Sequence, residues 1–276
     1  MNKKQLKKIF LTIKILIVVV VITGAGFIVY NHFYDASTPP AEFLDPIRLP
    51  EIKTPFFGIL KTRILMYHQI RSSKFNDYYS VSPQIFEQQM QWLQDNDYEV
   101  ISYTEFYLAL TSSSTLPDKS VVLTFDDGYR NQYTQALPIL QKFGYPAIFF
   151  PYTRAIGKRT FMTYDMLRDL QMAGMEIGSH SVSHKRMIKL TYEQMFYEAA
   201  DSKRVLEKYL DESVNFFAYP YGLYNLEVLR AVKLAGYQSA LTTRWFNYSN
   251  KKDGPYFAPR LRVDNNLESF IQVISQ

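Results

Sequence analysis

Cysteine is absent from the 276 residues. That excludes disulfides and thiolate chemistry. Histidine is scarce, with four in the chain. Excess charge is scarce too. The formal net charge of +5 equals the contribution of Lys3, Lys4, Lys7, Lys8 and Lys14, so the rest of the chain is close to neutral. The basic isoelectric point therefore belongs to the N-terminus, and no nucleic-acid partner is expected. Internal repeats and low-complexity tracts are missing as well, the only polar cluster of that kind being the short TSSST at 111–115.

What is there begins with a lysine-rich flank followed by Ile9–Tyr30, apolar or weakly polar except for Lys14. Its length approaches the ~20 residues that a helix needs to cross a bilayer. The uncharged part, from Ile15 on, is shorter, and Lys14 can snorkel toward the basic side. The flank predicts a transmembrane helix over 1–30 with its N-terminus inside, the lipid bilayer as a partner, and a single-pass placement at the cell membrane with the rest of the chain outside. A cleaved signal peptide and secretion are the alternative, although no A-x-A-like site follows Gly26. Residues 31–60 carry Pro39, Pro40, Pro46, Pro50 and Pro55, and read as an extended stalk. Residues 61–276 are enough for one sizeable domain.

That domain alternates. RILMYH, VVLTF, AIFF, MEIG and FFAY read as strands, VVLTF being the continuous apolar kind that is buried on both faces. Helices lie between them. Ser82 with Pro83 opens the first, and Ser102/Glu105 and Thr191/Gln194 form capping boxes. Pro138 stands inside another helical stretch, where a kink is expected. About six or seven strands in succession with helices predict a β/α fold. A barrel is favoured over a doubly wound sheet, because the polar clusters all follow strands.

Three of those clusters can carry chemistry. Asp126 and Asp127 end VVLTF before Gly128, and are either an Asp-Gly turn or a working pair. GSHSVSH spaces His180 and His184 four apart, close enough in a helical or tight segment to reach one metal ion. Two imidazoles and one carboxylate make the open, three-ligand set of a catalytic zinc site. One aspartate would then bind, and the other would take a proton from a water. FAYPYG, 217–222, is either a plain turn or a rigid loop that aims a backbone N–H at an oxyanion.

TFDDG, GSHSVSH and YPYG in this order resemble the polysaccharide deacetylases, the NodB-like carbohydrate esterases of family 4, over roughly residues 61–270. The resemblance implies a distorted or truncated (β/α) barrel, the NodB homology fold. It implies Asp126 as base, Asp127, His180 and His184 as ligands of a divalent ion, most often zinc, and the Tyr221 N–H at the oxyanion. The substrate implied is an N-acetylglucosamine-containing polysaccharide of the envelope or biofilm, poly-N-acetylglucosamine or peptidoglycan, with acetate as product. Two departures stand out. The arginine that holds the base aspartate in many members is Ala218 here, with Arg260 or Arg262 as replacements. The late histidine that serves as acid is missing, which leaves His68, in the early tyrosine-histidine pair found in the poly-N-acetylglucosamine deacetylase branch, as the acid or as a core residue. The departures also admit a catalytically inactive carbohydrate-binding protein, and the shared machinery admits an O-acetyl xylan esterase.

Overall fold

The computed structural model describes residues 14–23, 26–35, 62–72, 77–112, 114–243 and 254–275. The chain divides into two compact units, Met1–Arg48 and Leu49–Gln276.

In the first unit, β1 (Lys14–Thr23) and β2 (Gly26–Asp35) pair antiparallel, from Lys14 against Asp35 to Thr23 against Gly26. This corrects the expected transmembrane helix. No helix among the described residues is long and apolar enough to cross a membrane. The physical reason lies in the composition. Ile15 and Ile17–Ile22 are all β-branched, which costs side-chain freedom in a helix and suits a pleated strand. The helical anchor, the lipid bilayer as a partner and the single-pass placement fall with it. The basic flank and residues 36–60 of the expected stalk lie outside the described residues, and 31–35 belong to β2.

The second unit is a ring of parallel strands. β3 (Arg63–Tyr67) pairs with β7 (Ser120–Asp127), β7 with β8 (Ile148–Pro151), and β8 with β9 (Glu176–Ile177). A bridge from Ser179 to Phe217 leads on to β10 (Phe216–Ala218), then β11 (Ser239–Thr242) and β12 (Ala258–Pro259). The chain breaks at Arg260, and β13 (Leu261–Arg262) returns to β3 and closes the ring. Three short strands lie off the ring. β4 (Gln69–Ile70) pairs with β5 (Ser80–Val81), and β6 (Glu99–Val100) adds to the start of β7. The α/β barrel expected from the alternation is present.

Period-two alternation sorts the side chains. Leu65, Tyr67, Leu123, Phe125 and Phe149 face the outer helices, with the Tyr67, Phe125 and Phe149 rings stacked at 5.2 and 4.7 Å. Ile64, Val122, Ile148, Phe150, Ala218 and Leu241 fill the interior, where Tyr103, Phe106 and Leu110 of α2 (Tyr103–Thr111) pack with them. Asp126 shares the parity of Val122 and Thr124, so this strand turns it inward at the opposite end of the barrel. Both capping boxes form, and Ser82 accepts from Ile85 N–H ahead of α1 (Pro83–Asp95). Around Pro138 the helix does not simply kink. A π-turn over Gln132–Ala136 precedes α3 (Leu137–Phe143), so proline falls in the first turn of a new helix, where its missing N–H costs little.

Candidate metal centre

All ring strands run parallel, so their C-terminal ends gather on one face. His68 follows β3, Asp126 and Asp127 end β7, His180 and His184 follow β9, Tyr221 follows β10, and Arg260 precedes β13. Backbone strain concentrates there. Among the described residues, Asp127 (φ 72°), Ser181 (φ 71°), His184 (φ 56°) and Tyr221 (φ 60°) hold the left-handed region that non-glycine residues avoid. Gly128 (φ 75°) lets the chain leave β7 at once, and a Cβ there would stand 2.7 Å from the Pro151 Cβ.

The histidine loop is not helical. It is held by a set of hydrogen bonds. His180 N–H donates to Pro151 O (3.0 Å), and His184 N–H donates to Ser181 Oγ (3.0 Å). The backbone N–H of Ser183 (2.7 Å) and its hydroxyl both donate to the Glu198 carboxylate on the helix Tyr192–Leu210. His180 Nδ1 lies 2.7 Å from the Ala218 carbonyl. A carbonyl only accepts, so Nδ1 carries the proton and Nε2 keeps its lone pair for the site.

Asp127 Oδ1 lies 3.3 Å from His184 Nε2 and 3.8 Å from His180 Nε2. One ligating atom from each of Asp127, His180 and His184 falls within 4.8 Å of the others. The electrostatics fit a cation. Burial lowers both imidazoles, His180 to about 3, so they are neutral donors at physiological pH. Burial, and then the Asp126 charge, raise Asp127 to about 7. A buried carboxylate in that state gains most from a positive ion beside it. The three residues form a triad for a divalent metal ion.

Asp126 is kept apart from this set by its own partner. Arg260 NH1 donates to Oδ1 (2.6 Å) and NH2 to Oδ2 (2.7 Å), a buried bidentate pair. NH1 also reaches Thr124 Oγ1 at 3.2 Å. Burial alone would raise Asp126, but Arg260 outweighs it, helped by His180, and holds the carboxyl well below the usual carboxylate range. Of the two arginines considered, Arg260 thus takes the place opposite Asp126. Arg262 stacks on Tyr78, its guanidinium carbon 3.5 Å from the ring centroid, and pairs with Asp264.

His68 is half-buried, its ring 4.8 Å from that of Tyr79. Burial lowers it to about 4, with Asp126 opposing and Arg260 and His184 assisting. The sequence reading missed Gln132, whose Nε2 donates to both the His68 carbonyl (2.7 Å) and the Asp126 carbonyl (2.5 Å), tying the two strand ends together. It also missed Glu198. A capping box marks the start of that helix but says nothing of what its second turn holds. Tyr221 is half-exposed, and its ring stands 4.7 Å from His184 and 4.8 Å from the Arg186 guanidinium.

The raised Asp127 makes metal uptake pH-dependent. Below about pH 7 the ion must displace the Asp127 proton, so affinity should fall up to ~10-fold per pH unit. Above that value the carboxyl is already ionised and the dependence should flatten. Calorimetric titration of zinc in buffers of different ionisation enthalpy reads the released proton directly. Uptake without proton release at pH 6 would refute the assignment of Asp127 as a ligand.

Comparison with known proteins points one way. The profile of the family described as polysaccharide deacetylase matches residues 113–240. YxkH of Bacillus subtilis, a polysaccharide deacetylase by name, is 35% identical over 75% of this chain and 73% of its own. A poly-beta-1,6-N-acetyl-D-glucosamine N-deacetylase of Staphylococcus aureus is 28% identical over 98% of this chain and 97% of its own. Among solved structures, the Streptococcus pyogenes deacetylase PplD in complex with acetate superposes with a TM-score of 0.72 at 29% identity. That match covers 77% of this chain and 97% of PplD.

Proposed function

Because the chain belongs to the polysaccharide deacetylase family, we propose that it hydrolyses the N-acetyl groups of N-acetylglucosamine units in a polysaccharide and releases acetate. Poly-N-acetylglucosamine and peptidoglycan both fit this reading, and the relative named for the first polymer matches nearly the whole chain. The observation that carries the proposal is the split between neighbouring carboxylates: Asp127 faces two neutral imidazoles, while Asp126 is ionised against Arg260. Two groups pushed apart by their surroundings suit two roles. The inactive-protein reading leaned on the missing arginine at Ala218 and on the missing late histidine, and Arg260 removes the first of these supports.

When bound by Asp127, His180 and His184, a divalent ion, zinc by donor type, supplies Lewis acidity to the acetamide carbonyl and to a water. Asp126, held ionised by Arg260, accepts the proton of the attacking water. The Tyr221 N–H, turned by its positive φ, donates to the oxygen that becomes negative, a contact typically worth ~3 kcal/mol. As the C–N bond breaks, the nitrogen takes a proton, and acetate keeps the oxygen from water. His68 is the donor in this reading. With its ring neutral at rest, the proton it gives to the amine is the one Asp126 has just taken up.

Acetate release by the full chain with added zinc, on poly-N-acetylglucosamine, chitin oligomers and peptidoglycan, tests the reading. Release is expected on at least one of these polymers, with loss on chelation and recovery with zinc. Zinc binding without acetate from any N-acetylglucosamine polymer would overturn it. The role of His68 has its own pH signature. A donor that must be protonated beforehand loses ~10-fold in rate per pH unit above its value of about 4. The relay predicts no such fall between pH 5 and 8 at saturating zinc. It also predicts that His68→Ala keeps the metal but loses turnover, and normal turnover in that variant removes His68 from the mechanism.

A further inference from the structure

From Gly128 to Tyr164 the chain holds no Asp or Glu, and again none from Ile177 to Tyr192. These stretches supply the loops on one side of the barrel mouth, and their backbones are joined. Arg130 N–H donates to Thr160 O (2.9 Å), Thr153 N–H to Ser181 O (3.1 Å) and Arg154 N–H to Val182 O (2.9 Å). Tyr129 and Phe161 add a bridge. The joined loops carry Arg130, Arg154, Lys158, Arg159, Lys185 and Arg186, all exposed except the half-buried Arg130.

Elsewhere cations sit on carboxylates, as in Arg71 with Asp77, Lys142 with Glu87 and Arg204 with Asp201. Among the described residues, no carboxylate lies within 4.0 Å of any of the six rim cations. Unpaired like charges on neighbouring loops repel one another, and an arriving anion relieves that repulsion. The rim also adjoins the triad. Arg186 lies over the Tyr221 ring, and the rings of Tyr221 and Tyr152 stand 4.7 and 5.5 Å from that of His184. Sugar units flanking the reacting one would pass beside these charges.

We propose that the substrate is an anionic N-acetylglucosamine polymer, whose carboxylate or phosphate substituents on flanking units are held by this rim. The proposal rests on the deacetylase reading above. Rim charges act on encounter and binding rather than on the bond-breaking step.

The test compares the zinc-loaded full chain with its Arg154→Gln/Lys158→Gln/Arg159→Gln variant. The substrates are carboxymethyl chitin, its methyl ester, phosphorylated chitin and plain chitin oligomers. The wild type should show a lower KM for the charged polymers. Raising salt from about 20 to about 300 mM should increase that KM several-fold. The variant should raise KM on the charged polymers about 10-fold and leave kcat, and KM on the neutral ones, unchanged. A response to only one of the two charged polymers identifies carboxylate or phosphate as the group read. Equal shifts on charged and neutral substrates, or none, would overturn the proposal. Fluorescence polarisation of labelled carboxymethyl chitin on the same proteins reads the rim without catalysis. Salt-sensitive binding lost in the variant, with no acetate from any substrate, would keep the rim and remove the deacetylase reading. Acetate release with no charge preference would do the reverse.

Discussion

Asp126→Asn should keep the metal, lose turnover by ~10²–10⁴, and also lose stability. The first two effects follow from geometry. Asp127, His180 and His184 remain, while the group proposed to accept the proton of water becomes an amide. Removing the Asp126 charge also takes away one cause of the raised Asp127. The stability loss comes from Arg260. Arg260 is 1% exposed, and both arms of its guanidinium end on the Asp126 carboxylate. Breaking a buried pair by removing one partner typically costs about 3–5 kcal/mol, because the remaining charge is stranded. Asp126→Asn combined with Arg260→Met should therefore recover stability without recovering turnover. Acetate release, metal analysis and a denaturant midpoint on the single and double variants check each part. Loss of metal together with rate in the single variant would mean that Asp126 is itself a ligand.

Much of this was legible in the chain, and the parts that were not have physical causes. Strands buried on both faces read as apolar runs, and caps declare helix starts, so the alternation from Arg63 to Leu210 could be followed by eye. Barrel closure could not, because β12 and β13 are two residues each and interrupted at Arg260. Arg260 and Arg262 share a strand parity, which leaves sequence no means of choosing. The break turns Arg260 into the interior toward Asp126 and leaves Arg262 against Tyr78. The N-terminal run failed for a different reason. Hydropathy is blind to the difference between a helix and a pair of strands rich in β-branched residues. Gln132 had no motif at all. A π-turn ahead of a proline placed it where it binds two strand ends, and neither feature points to that contact from sequence.

His184→Ala should abolish most of the activity by a different route, through loss of the ion. Two ligands remain, Asp127 and His180, too few to hold a divalent ion against water at low concentration. Changes to groups that merely orient ligands already cost 10–100-fold in affinity, so removal of a ligand should cost at least roughly 100-fold. His184 is the cleaner choice of the two histidines. Its side chain is 23% exposed, whereas His180 is almost fully buried and its replacement would remove its hydrogen bond to the Ala218 carbonyl. His180→Ala should thus lose metal and fold stability together, and His184→Ala metal alone. Glu198→Gln gives a graded version. It weakens the grip on Ser183, and hence the aim of His184, and should reduce zinc affinity 10–100-fold while excess zinc restores turnover. If Glu198 served only the fold, the variant would melt earlier and bind zinc normally. Unchanged zinc stoichiometry and affinity in His184→Ala would remove His184 from the triad. The metal would then have to be sought between Asp126, Asp127 and His180, where the Arg260 charge opposes it.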